Sequence, residues 1–110
     1  MMYRSAALFT LLATQVWADA PTIDAVDITG TRVSVTIAHP DTGWDHYADG
    51  WRIETEDGTI LGVRELLHPH VEEQPFTRSL TVTDLPDGSL FIRAKCSVDG
   101  WSETVVPLSR

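Results

Sequence analysis

The chain has one cysteine, Cys96, so no internal disulfide can staple it and its stability has to come from packing. Basic residues are scarce. Eight Lys and Arg stand against sixteen Asp and Glu, a formal net charge of −8. Nucleic acid and anionic membrane surfaces both require basic patches, so neither suits this chain as a partner. A Gly-rich phosphate loop and a nucleophile elbow are both missing, and carboxylate pairs are too common in an acidic chain to mark an acid/base site. A domain this small also leaves little room for a deep pocket, and the expectation is a protein that is not an enzyme. Helical spacing of apolar residues is absent from any long stretch. The one apolar run of note, Ala6 to Ala13, falls well short of the roughly 20 residues that cross a bilayer, so no membrane span is expected.

That run does have a use. Met1 to Arg4 gives a short positive start, and Val16-Trp17-Ala18 places small residues at the two positions a signal peptidase reads. The pattern predicts a signal peptide over residues 1–18, cleavage after Ala18, and a periplasmic or secreted product. Residues 19–110 then form a single small domain, in the size range where one thin core is possible. Its acidic balance suits cations, basic partners or plain solubility.

Period-two alternation dominates this domain. Ile23 to Ile28 is a first apolar segment. Val33, Val35 and Ile37 alternate with Ser34, Thr36 and Ala38. Trp51, Ile53 and Thr55 alternate with Arg52, Glu54 and Glu56, then Asp57-Gly58 turns the chain into a partner strand over Ile60 to Leu67. Phe76, Arg78, Leu80 and Val82 share a side of the next segment, and Leu85-Pro86-Asp87-Gly88 is a turn. Leu90, Ile92, Ala94, Cys96 and Val98 share a face of the clearest strand, which points Cys96 inward as a buried, structural thiol. Thr104 to Leu108 closes the domain, with Pro107 suited to an edge. Short strands with turns every eight to twelve residues predict an all-β fold, a seven-stranded antiparallel β-sandwich.

"VSVTIAHP" and "GWRIET" resemble the second and third strands of a fibronectin type III domain, an Ig-like sandwich, and "LPDGSLFIRAKCSVDGWSE" is similar to that family in its Leu-Pro-Gly corner, its alternating strand with an arginine and its Gly-Trp-Ser. The resemblance covers most of residues 19–110. Ile37 stands where that family usually has tryptophan, and Leu90 where it has its corner tyrosine. "HPHVEEQPFTRS" is similar to a stretch in small exported bacterial proteins.

Chemistry concentrates in two segments. In "LLHPHVEEQPFTRS", His68 and His70 are two apart on a chain that Pro69 holds extended, so both imidazoles project to one side. Two such nitrogens can share a copper or zinc ion, with Glu72 or Glu73 supplying oxygen and His46 arriving from another loop. The same stretch also reads as a polar crossover between strands. In "HPDTGWDHYADGW", Asp41, Asp45 and Asp49 recur at every fourth residue, whereas calcium loops crowd carboxylates at alternate positions. Trp44 and Tyr47 lie in this loop, either packed over the end of the sandwich or exposed as a binding surface. The sequence thus predicts a small exported binding domain that contacts a protein or glycan through Trp44, Tyr47, His68, His70 and Phe76. The alternative is a periplasmic copper- or zinc-binding protein using His68, His70, Glu72 and His46. Edge-strand pairing of copies through the last strand is a third option.

Overall fold

The computed structural model describes residues 20–110, so the expected signal peptide and its cleavage point lie outside the described residues. Every regular element in the described residues is a β-strand: β1 (Thr22–Thr29), β2 (Arg32–Ala38), β3 (Ala48–Thr55), β4 (Ile60–Glu65), β5 (Phe76–Thr81), β6 (Leu90–Cys96), β7 (Gly100–Trp101) and β8 (Val106–Leu108). They form two antiparallel sheets. One has the order β1-β2-β5; the other runs β4-β3-β6-β7, with β8 also paired to β6. The arrangement is that of a β-sandwich.

Alternation explains which faces meet. Val33, Val35 and Ile37 of β2 are buried, as are Leu90, Ile92, Ala94 and Cys96 of β6, while the residues between them are half-buried. Trp51 and Ile53 complete the centre between the sheets. Each such aliphatic side chain contributes about 1.5–3 kcal/mol on burial. A register shift between Ala48 and Gly50 lets both Ala48 and Trp51 face inward although they are three residues apart.

The outward face of the larger sheet is polar and tightly paired. Glu54 of β3 is buried there, accepting from Arg93 at 2.8 and 3.1 Å and from Arg52 Nε at 2.8 Å. Trp101 of β7 lies beneath Arg52, 4.1 Å from the guanidinium carbon to the ring centre, with the Lys95 ammonium at 5.2 Å.

Three expectations need correction. There are eight strands where alternation predicts seven, because β7 and β8 lie along the same flank of β6, separated by irregular backbone. Lys95 pairs with Trp101 in one register, and Ile92 with Val106 in another shifted by two residues. The partner of β3 ends at Glu65, not Leu67, since Leu66 turns inward while Leu67 is exposed. Val98 does not continue the inner face of β6. The strand stops at Cys96, the chain turns through residues 97–99 into Gly100 at φ +73°, and Val98 is exposed.

Strand directions bring three connections to one end of the sandwich: residues 39–47 after β2, residues 66–75 after β4, and residues 97–99 after β6. Both chemistry-rich segments of the sequence therefore share that end.

Candidate metal centre

His39 follows the last residue of β2 and keeps the inward parity of Val33, Val35 and Ile37. Cys96 ends β6 on the inward parity of Leu90, Ile92 and Ala94. The two residues come from opposite sheets and meet at the mouth of the sandwich. His46 reaches them from the connection between β2 and β3, where Thr42 N–H donates to His46 O (3.0 Å) and His46 N–H to Gly43 O (3.2 Å), folding the loop back on itself.

His39, His46 and Cys96 each offer one donor atom, and the three atoms lie within 4.8 Å of one another. Cys96 Sγ is 3.7 Å from His46 Nε2. Sulfur and nitrogen on one tetrahedral ion, with bonds of about 2.3 and 2.0–2.1 Å, stand roughly 3.6 Å apart. The rings of His39 and His46 meet edge to face with centres 4.9 Å apart. Asp99, half-buried, lies alongside: its Oδ2 is 3.7 Å from Cys96 Sγ, and its backbone N–H donates to that sulfur at 3.3 Å.

The orientation of His39 is settled by Asp41. The His39 Nδ1–H donates to Asp41 Oδ1 at 2.5 Å, with both side chains fully buried. This leaves Nε2 as the free lone pair, and Nε2 is buried with no hydrogen-bond partner among the described residues. A carboxylate behind one imidazole nitrogen and an unused donor at the other is the usual arrangement of a metal-ligating histidine. Asp41 does more than orient. Oδ1 also accepts the Ala48 N–H at 2.9 Å, and Oδ2 accepts the His70 N–H at 2.7 Å.

His68 and His70 are neighbours, with ring centres 4.5 Å apart, but their nitrogens have other occupations. His70 Nε2 accepts from Arg78 at 2.7 Å, and its ring stacks on Phe76 at 3.9 Å. His68, exposed, directs Nδ1 to Pro69 O at 3.2 Å. Burial first, then the Arg78 and His68 charges, hold the His70 pKa below the ordinary histidine value, against the opposing pull of Glu73 and Asp41. Glu72 is exposed, and Glu73 sits 3.8 Å from Arg78. His46, the fourth residue of the set expected from sequence, is instead beside His39 and Cys96.

Trp44 is 69% exposed, with the half-buried Tyr47 ring edge-on to it at 5.7 Å. His70 and Phe76 are buried, so they shape the loop end from within while Trp44 and His68 face outward. Sequence reasoning did not single out His39 and gave Cys96 only a structural role. The signal was present: inward parity on two inner strands ends in His39 on one and Cys96 on the other.

No family model matches the chain. A protein of Halomicrobium mukohataei described as "Putative lipoprotein" is 54% identical over 56 residues, which is 51% of this chain and 27% of that protein. The chain thus spans little more than a quarter of that relative. Among solved structures, a hypothetical protein of Pyrococcus horikoshii OT3 is similar over 84% of this chain and 91% of its own, at 20% identity and a TM-score of 0.48.

Proposed function

We propose that this chain is an exported metal-binding domain whose centre is His39, His46 and Cys96, with Asp99 as a fourth donor, and that it takes zinc or copper. One observation carries the reading: a fully buried imidazole whose Nδ1 is held by a carboxylate has an Nε2 with no partner among the described residues, and a nitrogen of that ring lies within 4.8 Å of donors from His46 and Cys96. Leaving a buried polar atom unpaired costs about 1–3 kcal/mol, and a bound cation removes that cost. Imidazole and thiolate together suit zinc and copper, whereas calcium and magnesium require oxygen donors. The centre joins the ends of β2 and β6, so an ion there ties the two sheets together. No catalytic step belongs to this reading.

Export rests on the N-terminal pattern and is supported by the lipoprotein description of the relative, which matches 51% of the chain. The fold we take to be fibronectin type III-like. With β7 and β8 counted as one interrupted strand, three strands in the order β1-β2-β5 face four in the order β4-β3-β6-last. That layout is what the resemblance of "VSVTIAHP" and the Leu85–Glu103 stretch implies.

Calorimetric titration of the protein with Zn²⁺ and Cu²⁺ tests the centre. One equivalent is expected to bind, with binding lost in His39→Ala and in Cys96→Ser and kept in His68→Ala. Co²⁺ should give a thiolate charge-transfer band that Cys96→Ser removes. The absence of saturable binding, or binding unchanged in both His39→Ala and Cys96→Ser, overturns the proposal.

A second reading concerns the surface around the centre. Trp44, Leu67, Val71 and Val98 are all more than half exposed, and all belong to the three connections at this end. Exposed aromatic and aliphatic side chains on loops held by a rigid sandwich are suited to contacting a protein or a glycan. Trp44→Ala should abolish capture of such a partner, while Ile60→Ala, at the far end of β4, should not. Equal capture by both variants sinks this reading.

A further inference from the structure

We propose that Asp41 is a positioning residue that couples occupancy of the metal centre to the conformation of the loop spanning residues 66–75; this rests on the metal-binding reading of His39, His46 and Cys96. The loop lies outside the strand ladders, and its exposed residues Leu67, His68, Val71, Glu72 and Glu73 contribute little to the core. The His70 ring anchors its middle on Phe76 and Arg78, and the backbone of His70 is held by a short set of polar contacts that converge on His39. Asp41 Oδ2 accepts the His70 N–H at 2.7 Å, while Oδ1 of the same carboxylate accepts from His39 Nδ1. Gln74 spans the same pair a second time. Its Oε1 accepts the His39 N–H at 2.9 Å, and its Nε2 donates to His70 O at 2.8 Å.

A cation on His39 Nε2 draws electron density from the ring and makes Nδ1–H a stronger donor, which fastens Asp41. It also removes the one competing demand on that imidazole, the unpaired Nε2, so the ring has no reason to turn away from the carboxylate. A firmly held Asp41 in turn keeps its other oxygen on the His70 amide. Linkage makes the relation reciprocal: whatever orders the loop raises metal affinity by the same factor. The loop therefore becomes a metal-dependent surface carrying Leu67, His68 and Val71, and the buried ion is reported at the exterior without being exposed to it.

Hydrogen exchange followed by mass spectrometry on the whole protein, with and without Zn²⁺, tests the coupling. Zinc is expected to slow exchange in peptides covering residues 66–75, whereas the Asp57-Gly58 hairpin at the opposite end should be unaffected. Gln74→Ala should lose much of this zinc-induced protection, and Asp41→Asn should bind zinc about 10–100-fold more weakly, as loss of the carboxylate behind a ligating imidazole typically does. Asp41→Asn should in addition shift the Co²⁺ spectrum. Urea midpoints of the zinc-free variants separate these effects from general unfolding. If zinc binds at one equivalent and loop exchange does not change, or if Asp41→Asn retains full affinity and protection, the coupling is wrong although the centre stands. If zinc does not bind, the centre and the coupling fall together.

Discussion

The Arg78 guanidinium lies 2.7 Å from His70 Nε2, and this contact decides where the His70 proton sits. Arginine only donates, so Nε2 accepts and the proton is on Nδ1, which is buried. The ring is neutral, and burial followed by the charges of Arg78 and His68 lowers its pKa below 6.5. A histidine with a depressed folded pKa binds protons more readily when unfolded. Its contribution to stability is therefore present above about pH 6.5 and is lost as pH falls through the folded value. Nitrogen-15 NMR should show the Nδ1–H tautomer and a midpoint below that of a free histidine, and Arg78→Met should move the midpoint upward. A midpoint unmoved in that variant would leave burial and the His68 charge as the causes of the lowering.

Glu54 makes a second acid-sensitive contribution. Hydrogen bonding from Arg93 leads the lowering of its carboxyl pKa, desolvation opposes it, and Arg52 adds to the lowering. A depressed carboxyl stabilises the fold above its unfolded pKa, about 4.5, and that stabilisation disappears as pH drops through the folded value. Glu54→Gln should cost about 1.5–3 kcal/mol at pH 7, the range for hydrogen bonds to charged groups. Denaturant midpoints measured at pH 7 and pH 3 should converge for the two proteins at the acid end. A gap as wide at pH 3 as at pH 7 would contradict the ionic account.

Two tryptophans seven residues apart behave oppositely. Trp51 is fully buried and its Nε1–H has no partner among the described residues, so Trp51→Ala should cost about 3–5 kcal/mol, and Trp51→Phe much less because none of the described hydrogen bonds is lost. Trp44→Ala should change stability by no more than roughly 0.5 kcal/mol. Thermal unfolding of the three variants checks this ordering. A large loss on removing Trp44 would mean that its ring plugs the sandwich.

How far the sequence could be read depends on the kind of interaction. Alternation over Val33–Ile37 and Leu90–Cys96 was legible because a half-buried strand must repeat every two residues. The Asp57-Gly58 turn was legible because Gly58 adopts φ +87°. The split of the last strand into β7 and β8 was not, since the shift of pairing between Trp101 and Val106 leaves no mark on polarity. His68 and His70 form a visible pair because only Pro69 separates them, yet His70 is committed to Arg78 and Phe76. His39 and Cys96 are 57 positions apart, and only the pairing of two sheets brings them together. Long-range juxtaposition has no local signature. Inward parity carried past the end of β2 by one more step is the nearest substitute.

Cys96 gives the most direct check on this juxtaposition. Its sulfur is buried at the end of β6, beside His46 and under the Asp99 amide, so a thiol reagent has to wait for the 97–99 turn or the whole sandwich to open. Reaction of the native protein with a disulfide reagent should be orders of magnitude slower than in urea. Its rate should rise with denaturant as local opening becomes more frequent. Zinc should slow it further, because a coordinated thiolate is blocked by the metal as well as by packing. His39→Ala should erase the zinc effect while leaving slow reaction in zinc-free buffer, which separates the contribution of the ion from that of burial. Prompt reaction of the native chain would place the sulfur at the surface, and neither the inner face of β6 nor the centre built on it could then be correct.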